Sequence, residues 1–318
     1  MILSRIFYLL FIIFLSCQEN PSKIKSLPLQ NISVVPKEKT DSSNVMFRNI
    51  SNYTVFLKSI KNKEGFITFR KFTDSNTNTE YALALDVNSL QTKVFLLKEL
   101  ELDSILNVST QSNYFRLIDK IRQQNYKTSG IDSTSLNGYA LTMDLCPSSR
   151  KFDQDFFDFL VAKKASPLYL CISGKWAEKH KKDLDYILSK KKEVEIVWVS
   201  HSYSHYYDPK KKLQNNFMLS ENTNFDVEVL NNEKLMLRYG IVLSPFFRFP
   251  GLVCDENICQ KLISYGLIPL SSKAWLAKGE KAKKGSVILL HINGNERQGL
   301  PLFKSFFEKT TLKPVKIN

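Results

Sequence analysis

Residues 194–205 read Val194-Glu195-Ile196-Val197-Trp198-Val199-Ser200-His201-Ser202-Tyr203-Ser204-His205. A run of β-branched and aromatic side chains ends abruptly in two histidines four residues apart. The apolar run predicts a buried strand. The whole chain holds only four histidines, so a pair placed at a strand end calls for an explanation. In barrels of alternating strands and helices, active-site groups collect at the carboxyl ends of the strands. On one turn of helix, two imidazoles at this spacing would face the same way and could share a metal ion. An isolated pair is more often two surface histidines, so the surrounding segments decide.

Outward from this stretch, strand and helix patterns alternate. Ala140 to Met143 and Pro167 to Ile172 read as buried strands. Phe152 to Lys164 is an amphipathic helix, with Phe156, Phe159 and Leu160 at helical spacing. Trp176 to Ser189 reads as a further helix. Ser286 to Leu290 is the last strong strand. The alternation predicts a parallel sheet or barrel with crossover helices. Asp144 ends the first of these strands and His291 follows the last. Arg248-Phe249-Pro250-Gly251 follows a strand-like stretch. Polar groups thus stand at four strand ends, and three of the four histidines are among them.

In this order the segments resemble the polysaccharide deacetylase family, of the carbohydrate esterase type. Thr142-Met143-Asp144-Leu145-Cys146-Pro147 is similar to its Thr-Phe-Asp-Asp-Gly-Pro motif. His201-Ser202-Tyr203-Ser204-His205 resembles its metal-binding histidine motif. Ile172 to Trp176 resembles the strand-to-helix turn between them. Arg248 to Gly251 resembles its Arg-x-Pro-x motif, and Leu289-Leu290-His291 its final Leu-x-His motif. The resemblance covers residues 138 to about 300. It implies an α/β fold, a distorted (β/α) barrel. It also implies a hydrolase that removes N- or O-linked acetyl groups from an acetylated polysaccharide or peptidoglycan. Asp144 would be the general base, His291 the general acid, and Arg248 the partner that fixes Asp144. His201 and His205 would hold one divalent ion, for which zinc is suited. Trp275, Tyr203 and Pro250 would contact substrate.

The sequence departs from that pattern at three places. The second motif aspartate, expected as the third metal ligand, is Leu145. The motif glycine is Cys146, which could be a soft ligand, although a disulfide or a buried thiol is the expected reading. The aspartate expected before Trp275 is Ala274, which leaves His291 without its usual partner. Asp153 is the expected substitute ligand, although Asp at that place also suits a helix N-cap. These departures keep a second expectation open. The chain could be a catalytically impaired deacetylase fold that binds carbohydrate or serves as a structural envelope lipoprotein. His180, in a charged stretch, is expected to be a solvated helix residue.

The remaining features bound the setting. Ile6 to Leu15 is an apolar run too short to span a bilayer as a helix. It ends in Phe14-Leu15-Ser16-Cys17, which resembles a bacterial lipobox, with a plain signal peptide or short anchor as alternatives. Residues 1–17 are therefore expected to be a signal segment, with Cys17 lipidated and the protein exported and membrane-attached at the cell envelope. Residues 18–48 are polar and predict a flexible tether. Residues 49–137 predict a β-rich region that is either an accessory domain or an extension of the main one, residues 138–318. Within it, Gly65 to Phe69, Tyr81 to Leu85 and Lys93 to Leu97 are expected strands, and Tyr114 to Gln123 a helix. The chain has 318 residues and a formal net charge of +14. That charge favours anionic surroundings, but no basic stripe carries interleaved aromatics, so nucleic acid is not an expected partner. Of the five cysteines, four remain if Cys17 is lipidated, and the simplest pairing is Cys254 with Cys259 and Cys146 with Cys171.

Overall fold

Strand-forming residues alternate with turn residues between positions 50 and 103, and they build an antiparallel meander. The computed structural model describes residues 46–103 and 110–318. Residues 1–17 with Cys17, and most of the tether, lie outside the described residues. The meander consists of β1 (Ile50–Ile60), β2 (Phe66–Asp74), β3 (Thr79–Asp86), β4 (Thr92–Leu96) and the short β5 (Leu102–Asp103). They form a five-stranded sheet in the order β4-β3-β2-β1-β5. Helix α1 (Asn113–Gln123) buries Tyr114, Leu117, Ile118 and Ile121 on one face.

From Ala140 the expected alternation of strand and helix is present. The elements are β6 (Ala140–Leu145), α2 (Gln154–Ala162), β7 (Leu168–Ile172), α3 (Gly174–Lys179), α4 (Lys181–Ser189) and β8 (Ile196–Ser200). They continue as α5 (Asn232–Arg238), β9 (Phe246–Phe247), α6 (Glu256–Ser264), β10 (Ile268–Pro269), β11 (Ala274–Trp275), β12 (Val287–His291) and α7 (Gly299–Lys309). The strands make one seven-stranded sheet in the order β10-β9-β8-β7-β6-β12-β11. Every pairing in it is parallel. β10 and β11 do not pair with each other, so the sheet curls into an open, distorted (β/α) barrel.

Period-two alternation sorts the strand residues. Leu141, Met143 and Leu145 of β6 pack in a cluster with Leu168, Leu170 and Ile172 of β7, Ile288 and Leu290 of β12, and the helix residues Phe157, Leu160 and Leu184. The intervening residues face the other side of the sheet. There Ala140, Tyr169, Cys171 and Val199 join a second cluster. That cluster also contains Phe47, Ile67, Phe69 and Phe72 from the N-terminal sheet and Tyr114 and Leu117 from α1. The N-terminal sheet and the barrel therefore share one apolar core.

A buried ion pair accompanies that apolar contact. Arg70 of β2 donates to both carboxylate oxygens of Glu233 on α5, at 2.7 and 2.8 Å. Neither side chain is more than 4% exposed. The Tyr53 hydroxyl donates to the same carboxylate at 3.0 Å.

Three expectations are corrected here. The single helix expected over Trp176 to Ser189 is α3 and α4, broken at His180. His180 is not solvated: its ring stacks on Trp176 with centroids 5.2 Å apart. Its Nδ1 lies 2.9 Å from Asp183, and its Nε2 lies 3.1 Å from the Ser148 carbonyl. The expected disulfides are absent, and Cys146, Cys171, Cys254 and Cys259 are free thiols. Cys254 donates to the Thr128 carbonyl at 3.3 Å, whereas Cys259 lies on the buried face of α6.

Removing one member of a buried ion pair leaves an uncompensated charge. Glu233→Ala is expected to cost about 3–5 kcal/mol. Asp119→Ala, which breaks the half-exposed pair with Arg122, should cost about 1 kcal/mol or less. Urea unfolding of the two variants checks the contrast.

Candidate active site

The face of β6 turned away from α2 and α4 carries Thr142 and Asp144. Arg248, just after β9, reaches both: its Nη1 donates to Asp144 Oδ1 at 2.8 Å and to Thr142 Oγ1 at 2.7 Å. The guanidinium also donates to the carbonyls of Leu270 and Ser271, and it is fully buried. Burial pushes the Asp144 carboxyl up. The Arg248 charge, aided by His201 and His291, outweighs that and holds it below the usual carboxylate range. Asp144 is thus an anion whose Oδ2 remains turned toward His201, 3.6 Å from its Nε2. In the sheet register Asp144 stands directly beside His291 of β12.

His201 follows β8. Its Nδ1 lies 2.9 Å from the Arg248 carbonyl, a contact that requires the proton on Nδ1 and leaves Nε2 with a free lone pair. The segment from His201 to His205 is a loop, not the expected turn of helix. Ser202 and His205 adopt positive φ of 62° and 48°, and local bonds hold this conformation. The His205 amide donates to Ser202 Oγ at 3.1 Å, and the Ser204 amide donates to Glu228 Oε2 at 2.9 Å. Glu228 is buried, on the π-helical segment Val227–Asn231 that leads into α5. Gly174 makes room for the loop, since a Cβ there would lie 2.4 Å from the Tyr203 ring. The two imidazoles meet edge to face, with centroids 4.7 Å apart. His205 Nε2 is buried and has no hydrogen-bond partner. Burial, reinforced by His201, pushes His205 down to about 3, and burial lowers His201 as well. Both rings are neutral near pH 7, the form that binds metal.

The third position differs from expectation. Asp153 does not join the histidines, because both of its oxygens are engaged elsewhere. Oδ2 accepts from the Gly294 amide at 2.8 Å, and Oδ1 pairs with Arg297 Nε at 2.8 Å. It is also no cap for α2, whose N-cap position it occupies without a capping bond. Instead it latches the loop that follows His291. The group that does join the histidines is Cys146, whose Sγ lies 3.4 Å from His201 Nε2. The donor atoms of Cys146, His201 and His205 lie within 4.8 Å of one another, as do those of Asp144, Cys146 and His291. Burial pushes the Cys146 thiol well up, and the Asp144 charge adds to this. The residues present fit a divalent cation: one buried imidazole nitrogen lacks any partner, and a second presents its lone pair beside a sulfur.

His291 has a partner that the sequence did not reveal. Glu296 Oε2 lies 3.0 Å from His291 Nδ1, an ion-pair contact off the axis of a straight hydrogen bond. The same oxygen accepts from Trp275 Nε1 at 2.6 Å. Glu296 thus contacts His291, whereas the buried Ala274 offers it no polar group. Its loop is fixed by the Asp153 latch and by Gly294, whose φ is 79° and whose Cβ would fall 2.4 Å from Arg150 Cβ. Burial raises the Glu296 carboxyl, but contact with His291 and Trp275 holds it below its ordinary value.

The three expected substrate contacts separate. Trp275 is partly exposed beside His291, with ring centroids 5.8 Å apart. Tyr203 is half-buried, and its hydroxyl donates to Glu178 at 3.1 Å. Pro250 is buried at the start of a 3-10 turn, so it shapes the backbone rather than meeting a ligand. An open cleft of about 700 Å³ adjoins the site, lined by Pro147, Ser148, Lys175, Glu178 and Ser204 among others.

No family model matches the chain. Among solved structures it is similar to a family 4 carbohydrate esterase from Bacillus anthracis, at 20% identity over 62% of this chain and 89% of that one, with a TM-score of 0.46. It is similar to the chitin deacetylase of the fungal pathogen Colletotrichum lindemuthianum, at 16% identity over 59% and 89% of the two chains, with a TM-score of 0.44. It is also similar to a family 4 carbohydrate esterase from Streptomyces lividans solved with acetate, at 16% identity over 58% and 95%, with a TM-score of 0.42.

Two outcomes follow from this geometry. A histidine buried neutral must charge on unfolding in acid. Its folded pKa lies below its unfolded value, so stability is full above about pH 6.5 and falls as the pH drops from there toward the folded value. Chelator-treated protein should therefore lose up to about 1.4 kcal/mol per pH unit for each such histidine. His205→Gln should flatten that slope in urea titrations at a series of pH values. Separately, Glu296→Gln should alter Trp275 fluorescence, because the carboxylate that accepts from its Nε1 becomes an amide. An unchanged emission spectrum would contradict that contact.

Proposed function

We propose that the chain is a metal-dependent hydrolase that removes N- or O-linked acetyl groups from a cell-envelope or extracellular polysaccharide such as peptidoglycan. The observation that carries this reading is the meeting of Asp144, Arg248, His201, His205 and His291 at the carboxyl ends of strands in one parallel sheet. His201 and His205 would hold a divalent ion, which when bound supplies a more acidic water and a polarised acetyl carbonyl. Asp144 is charged, and its Oδ2 is not taken by Arg248, so it can accept the proton of the attacking water. Arg248 keeps that carboxylate ionised and stationary. His291, beside Asp144 in the sheet, can donate a proton to the departing amine or alkoxide. Glu296 at its Nδ1 leaves Nε2 as the nitrogen free for that transfer. Trp275, partly exposed at the rim, offers a ring face for a sugar.

The proposal includes the setting. Export, with attachment through a lipidated Cys17, would place the site at the cell envelope. The formal net charge of +14 suits anionic lipid and glycan there.

One observation favours a second reading, a deacetylase fold that binds carbohydrate without turnover. Leu145, where the resemblance expects a ligating aspartate, is fully buried against the helices. Acetate release decides between them. Purified chain supplied with zinc should release acetate from acetylated chito-oligosaccharide, peptidoglycan or xylan. His201→Ala and Asp144→Asn should each reduce release by about 100-fold or more. Binding of these glycans by zinc-loaded wild type without acetate release would establish the second reading instead.

A further inference from the structure

We infer that Cys146 is the third protein ligand of the site, so that two imidazoles and a thiolate replace the two imidazoles and carboxylate that the resemblance implies. This rests on the metal-dependent reading above.

The inference begins with strand alternation. Leu145 points with Leu141 and Met143 into the helix-side cluster, where no ligand could reach the histidines. Asp144 and Cys146 bracket it and both turn toward the site. Cys146 is the residue in common between the two groups of converging donors, one with His201 and His205, the other with Asp144 and His291. Its sulfur therefore lies between the histidine pair and the catalytic pair.

Distance agrees. Zinc binds thiolate sulfur at about 2.3 Å and imidazole nitrogen at about 2.0–2.1 Å, so the sulfur–nitrogen edge of a tetrahedral site is about 3.5 Å. The observed separation of Cys146 Sγ and His201 Nε2 is 3.4 Å. The backbone of Cys146 is fixed as well, since the fully buried Asn293 donates to its carbonyl at 2.8 Å. No disulfide removes the thiol from this role. His205 contributes an independent sign, a buried Nε2 with nothing to bind among the described residues.

The chemistry has two consequences. As the metal–sulfur bond forms, the Sγ–H bond breaks and its proton passes to buffer, one proton per ion. A thiolate also favours zinc or cobalt over the harder magnesium and manganese ions.

The test uses the full chain, stripped with chelator and titrated with Co²⁺. Wild type should bind one ion, release one proton and gain a near-ultraviolet thiolate-to-cobalt charge-transfer band. Cys146→Ser should lose the band and bind about tenfold or more weakly, with a circular dichroism spectrum unchanged from the stripped wild type. Cys146→Asp should keep the ion without the band. His205→Ala should lose ion and band together. Co²⁺ bound by wild type without a charge-transfer band would overturn the thiolate ligand while leaving the histidine site and the hydrolase reading intact. No Co²⁺ binding by folded wild type would overturn both.

Discussion

The guanidinium of Arg248 lies fully buried between the strand ends, and the site is arranged around it. A charge in that position is costly unless it is paired and hydrogen-bonded. Here four of its five N–H donors go to Asp144, Thr142 and the carbonyls of Leu270 and Ser271. The contact with Asp144 keeps that carboxylate ionised in spite of its burial. The backbone of the same residue has a second effect. Its carbonyl holds His201 Nδ1 and so turns the Nε2 lone pair toward Cys146 and His205. One residue thereby sets the charge of the proposed base and the tautomer of a proposed ligand.

A second line of support runs in from the N-terminal sheet. Arg70 on β2 binds Glu233 on α5. The π-helical segment leading into α5 carries Glu228, which accepts from the Ser204 amide inside the histidine loop. Two residues of that loop have positive φ, a conformation that needs such outside bonds to persist. The sheet of residues 50–103 and the proposed metal ligands are thus joined through one helix, which gives the β-rich region a structural part in shaping the site.

Much of the fold was legible because strand and helix periods differ. The apolar runs at Ala140, Pro167, Val194 and Ser286 are strands, and the residues following them gather at one end of the sheet. The pairing of Asp144 with Arg248 followed from their motifs. Legibility stopped where contacts join loops distant in sequence. Asp153 carries the correct chemistry for a ligand, but it is consumed by Gly294 and Arg297 across the barrel mouth. Glu296 reaches His291 from a different loop than the expected aspartate would, and its only signal in sequence was a carboxylate five residues after His291. Strand alternation could have favoured Cys146 over Leu145, since only the cysteine shares a face with Asp144. A soft ligand was one reading of Cys146 from sequence, but a disulfide or a buried thiol explains a cysteine there equally simply.

The account depends on a cation at the strand ends, held by residues of the loops that follow β6 and β8. Zinc-edge anomalous diffraction from crystals of the zinc-loaded protein locates that cation directly. The account predicts one peak, at about 2.0–2.3 Å from His201 Nε2, His205 Nε2 and Cys146 Sγ. A peak bonded to Asp153, or no peak between the two imidazoles, would contradict it.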